Sequence, residues 1–167
     1  LTMAMLSEAP AIGVFSHTGF QDAADGTSHQ ALSYMSMLAT IPGVDLYSLS
    51  SSEEAESLMT EVIEKFAVDK KAGRKGRSSV FFLGRANFPK SFRTDENKIS
   101  YSATVPQVLK DNSGSGKNVL LLTTGSLVGE ALAASEKLKS LHVGSVVVHQ
   151  SGLNQIDVGA LAPLLQK

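Results

Sequence analysis

The chain has 167 residues, fifteen basic and sixteen acidic, and a formal net charge of -1. Its 43% apolar and 19% charged residues exclude global disorder, and the length fits one domain or two small ones. The balanced charge argues against a dedicated nucleic-acid binder, and the absence of cysteine excludes disulfides, thiolate catalysis and thiolate metal sites.

Leu1 to Leu6 is apolar with helix-like spacing, closed by Pro10. It is too short to span a bilayer and lacks the basic flank of a signal peptide, so no membrane partner is expected. A start at Leu1 rather than Met leads us to expect a piece of something longer. Ala11–Ser16 (AIGVFS) has the pattern of a buried strand. A polar, Gly-containing loop follows, and Thr27-Ser-His-Gln30 reads as a capping box for a helix through Leu32, Met35 and Ala39. Ile41-Pro42-Gly43 stops that helix, and Val44–Leu49 is the second strand.

Ser51-Ser-Glu-Glu54 is a further capping box, followed by Ala55, Leu58, Met59, Val62 and Phe66 on one helical face. Lys70–Arg77 (KKAGRKGR) carries five positive charges in eight residues and reads as a solvated surface loop. Ser79–Leu83 is the third strand. Strands alternating with helices predict a parallel α/β sheet.

Residues 93–117 are polar and end in Asn112-Ser-Gly-Ser-Gly-Lys117, a linker with room for one short strand near Ile99–Ala103. The Gly-Ser-Gly-Lys segment fails as a phosphate loop. Asp111 stands where glycine is needed, Asn118 replaces the magnesium-binding hydroxyl, and a strand follows instead of a helix. A second unit then reads strand (Asn118–Thr123), helix (Leu127, Ala131, Ala134, Leu138 and Leu141 on one face), strand (Val143–His149) and a helix from Asp157 that Pro163 shortens. His142 and His149 flank the last strand and read as structural or surface residues, with no metal-like spacing around them.

Two clusters could carry chemistry. Ser16–Gln30 joins a strand's C-terminal end to a helix N-terminus, the edge of an open α/β sheet where ligands bind. It holds His17, Asp25 and His29: imidazoles that move protons or hold anions, and a carboxylate that can orient a hydroxyl. The alternative is a loop of helix-capping residues. Leu83-Gly-Arg85-Ala-Asn87-Phe-Pro89 follows another strand, and an Arg there suits a carboxylate or phosphate through its fork of donors. The alternative is an exposed Arg in a turn. With parallel strands, all four polar groups would share one edge.

These residues resemble transketolases: His17, then Asp25-Gly26, then His29-Gln30, then the arginine segment around Arg85. Val119–Leu164, with Gly125 and the Glu130 helix, resembles the start of that family's C-terminal domain. The resemblance implies residues 1–92 as the C-terminal part of a parallel-sheet, three-layer thiamine diphosphate-binding (pyrimidine) domain. It implies 93–117 as a linker and 118–167 as the start of the α/β C-terminal domain. It further implies a cytoplasmic homodimer in which thiamine diphosphate and a divalent cation (magnesium or calcium) support transfer of a two-carbon ketol unit between sugar phosphates. His17, Asp25 and Arg85 would bind substrate, and His29 would face the cofactor and act catalytically. Thr18, Ala23 and Ala24 depart from the family pattern. No residues here suit the diphosphate and metal, so the chain by itself is expected to bind no cofactor and to be inactive. Two alternatives stand beside this one. The first is a 1-deoxyxylulose 5-phosphate synthase or a 2-oxo acid dehydrogenase beta subunit. The second is a non-catalytic dimerisation module.

Overall fold

β3 (Ser78–Phe82) is buried at every position and lies between β1 (Ile12–Phe15) and β2 (Val44–Ser48), both parallel to it. These coordinates are a computed structural model describing residues 1–19, 24–28, 30, 32–85, 87–94 and 99–166. A strand covered on both faces reads as a continuous apolar run, which is why Val80, Phe81 and Phe82 show no alternation, while the buried Ser78 at its start accepts from Ala11 N–H at 3.0 Å. α1 (Thr2–Leu6) precedes this sheet, α2 (Tyr34–Ala39) joins β1 to β2, and α3 (Ser52–Lys71) joins β2 to β3.

The second sheet is ordered β4-β6-β5. β5 (Asn118–Thr123) is parallel to the central β6 (Gly144–His149), and β4 (Gln107–Asp111) is antiparallel with a register shift between Val108 and Lys110. A 3-10 turn (Gly125–Leu127) leads into α4 (Val128–Ser140), and α5 (Val158–Leu161) passes into a 3-10 turn at Ala162, one residue before Pro163. The α/β class is as the sequence implies.

Four local expectations are corrected. β1 is an exposed edge strand, because β3 and not β1 takes the centre of the sheet. Thr27–Gln30 does not start a helix: α2 begins at Tyr34 after Ser33, and His29 lies outside the described residues. The stretch read as a linker contains β4, and Ile99 and Tyr101 are buried rather than paired in a strand. On α4 the buried residues are Val128 and Ser135, while Leu127 and Leu141 stay exposed. Ser135 is held inside by Ser145 Oγ at 2.8 Å and Asn112 Nδ2 at 3.0 Å, a polar seam that an apolar-periodicity rule cannot find.

One apolar cluster joins the two sheets. Tyr47, Leu49, Leu58 and Phe81 pack with Ile99, Tyr101, Leu109, Val128 and Val147. The segment after β6 then runs along the outer edge of β2. Ser48 N–H donates to Ser151 O at 2.9 Å and Leu153 N–H to Leu46 O at 2.8 Å. Asn154 completes the strap: its Oδ1 accepts from Leu46 N–H at 3.0 Å and its Nδ2 donates to Val44 O at 2.8 Å. Among the described residues no helix is long and apolar enough to cross a membrane.

Candidate functional site

The C-terminal ends of β1 and β3 lie side by side because the strands are parallel and in register, Phe15 opposite Phe82. Each runs directly into one of the two polar clusters. Thr18 N–H donates to Leu83 O at 3.2 Å, which ties the loop after β1 to the loop after β3. His17 takes a left-handed backbone (φ 60°), uncommon for a residue with a side chain, and its Nδ1 lies 2.8 Å from Ser16 Oγ. Asp25 folds back to the same edge, where its Oδ2 accepts from Arg85 Nη1 at 3.3 Å. The sequence places these two residues 60 positions apart; the sheet brings them together. His29, the remaining expected site residue, lies outside the described residues.

Both partners of the Arg85–Asp25 pair are well exposed, with side-chain exposures of 36% and 53%. Such a pair contributes about 0–1 kcal/mol, so an anionic ligand can displace the carboxylate at little cost. The site can therefore present a guanidinium to an anion and a carboxylate to a hydroxyl. Next to it opens a cleft of about 530 Å³, lined by Thr18, Gly19, Leu83 and Gly84 after β1 and β3 and by Thr124 and Ser126 after β5. A larger cavity of about 830 Å³ lies between residues 91–94, β4 and α4, with none of the expected site residues in its wall.

The basic loop is largely neutralised. Arg77 grips Asp45 with two nitrogens, at 2.8 and 2.6 Å, Arg74 pairs with Asp69 at 2.7 Å, and Lys75 pairs with Glu8. The Gly-Ser-Gly-Lys segment is a turn into β5, held by Asn118 Oδ1 accepting from Gly114 N–H at 3.0 Å. His142 is exposed.

A second polar cluster was missed by the sequence reading. Glu54, His149, Ser50 and Ser151 are all essentially buried where the two sheets meet. Glu54 Oε2 accepts from Ser50 N–H at 2.7 Å and from Ser50 Oγ at 2.6 Å; Oε1 accepts from His149 Nε2 at 2.7 Å and from Ser151 Oγ. Burial pushes the Glu54 carboxyl up, but the His149 ring, Ser151 and Ser50 outweigh it and hold the group below the usual glutamate range. The only available signal was the capping box, which explains Glu54 locally and so hides its second role.

A diphosphate with its divalent cation needs a cluster of oxygen or imidazole ligands. Among the described residues no group of three or more such side chains could hold a metal ion. The buried Glu54 carboxylate already accepts four hydrogen bonds, so it has no lone pair to offer. The described residues do not fit that part of a thiamine diphosphate site.

No family model matches the chain. A transketolase of Sinorhizobium medicae is 28% identical over 163 residues, covering 97% of this chain and 22% of the relative. A 1-deoxy-D-xylulose-5-phosphate synthase of Rhodococcus jostii is 30% identical over 125 residues, covering 74% of this chain and 17% of that protein. Among solved structures, the transketolase of Pichia stipitis in complex with sedoheptulose 7-phosphate superposes with a TM-score of 0.65 at 20% identity, covering 90% of this chain and 20% of that one. A split-gene transketolase, described as an inactive beta4 tetramer, gives a TM-score of 0.65 at 20% identity and covers 98% of this chain and 51% of its own. The chain spans about a fifth of the length of the curated transketolase it matches. In sequence and in fold alike, the chain is similar to transketolases over nearly its whole length.

Proposed function

We propose that the chain supplies the substrate-binding edge of a thiamine diphosphate-dependent transketolase, which moves a two-carbon ketol unit between sugar phosphates. In this reading residues 1–92 are the C-terminal part of the pyrimidine-binding domain, 93–117 the connection, and 118–167 the start of the C-terminal domain. The observation that carries it is the meeting of Arg85 and Asp25 beside His17, at the C-terminal edge of a parallel sheet, in a transketolase-like chain. Arg85 and His17 would hold the sugar phosphate, Asp25 would orient a substrate hydroxyl, and His29 would face the cofactor and act catalytically. The cofactor supplies the carbanion chemistry. Its diphosphate and cation would be held outside this chain, in a cytoplasmic enzyme completed by other domains and a second subunit. A sedoheptulose 7-phosphate complex of the Pichia relative supports the substrate class.

Arg85→Ala in the complete enzyme is expected to raise KM for the sugar phosphate by about tenfold or more, the effect of losing one charge-assisted hydrogen bond. An unchanged KM would sink the assignment. Tight binding of thiamine diphosphate and magnesium to the 167-residue chain alone, by calorimetry, would refute placing the diphosphate site elsewhere.

Two alternatives have support. The Rhodococcus relative favours a synthase that takes pyruvate as donor, and a donor screen on the complete enzyme, xylulose 5-phosphate against pyruvate, separates the two. The inactive beta4 tetramer favours a chain that associates without catalysing, in which case Arg85→Ala leaves turnover untouched.

A further inference from the structure

The Glu54 cluster is built from both sheets. Two of its four donors come from Ser50, just before α3, and two from His149 and Ser151, at the end of β6. His149 Nδ1 is buried without a hydrogen-bond partner among the described residues, so the ring is bound through Nε2 alone. Glu54 and His149 are 0% and 1% exposed, and neither lines the cleft beside Arg85. Burying an ionised carboxylate this deeply is expensive, and two apolar side chains of the same volume would fill the space at lower cost. A directional network does one thing that apolar packing does not: it accepts a single relative position of the parts it joins.

That position matters for the neighbouring cleft. Just beside the cluster, Ser48 packs so closely on Gly125 that a methyl group there would overlap its Oγ, and Thr124 Oγ1 donates to Ser48 O at 3.3 Å. Thr124 and Ser126 line the same cleft as Leu83 and Gly84. A slip of β6 against α3 would move that lining. We infer that Glu54 and His149 are positioning residues, a polar latch that selects one register between the two sheets and so fixes the width of the cleft beside Arg85.

The absence of cysteine makes this directly measurable. Glu64→Cys on α3 and Lys137→Cys on α4, both exposed, carry a pair of spin labels. In the 167-residue chain the labels should give one narrow distance. With Glu54→Met and His149→Leu the chain should keep its circular dichroism and lose no thermal stability, while the distance distribution widens about twofold or splits. Glu54→Gln, which sets an amide N–H against the existing donors, should widen it in the same way. A folded variant of either kind with the original narrow distance overturns the inference. Loss of folding in both overturns it too, because the pair would then be holding the fold rather than choosing its register.

Discussion

At the scale of single residues, the buried Glu54 dominates what can be measured. Its carboxylate accepts four hydrogen bonds and sits in the first turn of α3, where the helix dipole also favours negative charge. Its folded-state value is held below the unfolded one, so its contribution is complete above the ordinary glutamate range. That contribution is lost as the pH falls through the lowered folded value, when the proton must displace a donor. Glu54→Ala strands the His149 ring and should cost about 3–5 kcal/mol at neutral pH. It should also flatten the acid side of the stability profile. Urea midpoints from about pH 7 to about pH 3 check both, and a parallel profile for wild type and variant would contradict them. Asp25 and Arg85 were legible in the sequence because strand-end position and side-chain chemistry each point to them. Glu54 and His149 were not: they are 95 residues apart, and each has an adequate local reason to be where it is.

At the scale of elements, the strands and long helices were legible and their neighbours were not. The continuous apolar run of β3 announces a strand, yet only the sheet order shows that β3 is central and β1 is not. β4 stayed hidden because Gln107–Asp111 has one buried side chain in five, and its stability comes from the β6 backbone it joins. The strap along β2 is the same lesson in polar form. Asn154 imitates a strand residue by offering an acceptor to Leu46 N–H and a donor to Val44 O, both belonging to an element more than a hundred positions earlier. Asn154→Ala should leave both backbone groups unpaired and cost about 1–3 kcal/mol. The loss should be local first. Amide exchange at Leu46 should accelerate before that of Val80 or Val147 in the two sheet centres. Equal acceleration everywhere would mean the strap has no separate role.

At the scale of the whole molecule, the two edges of the first sheet are treated in opposite ways. The β2 edge is closed by the strap, whereas β1, among the described residues, pairs only with β3 and carries Ile12, Val14 and Phe15 at 38%, 55% and 40% exposure. An apolar, open strand edge is a template for pairing with another chain. Phe15 at least stacks on Phe82, with ring centroids 6.0 Å apart, so its exposed face is partly committed. Val14 has the largest exposure of the three and belongs to neither core cluster, which makes it the residue through which self-association by this edge should run. Val14→Lys adds a charge that blocks edge-to-edge docking without opening a cavity. The unfolding midpoint should therefore move by no more than about 0.5 kcal/mol. Light scattering at high protein concentration should fall. If scattering is unchanged while stability is also unchanged, the β1 edge is not where copies of this chain meet, and the exposed helix residues Met3 and Leu6 become the next surface to test.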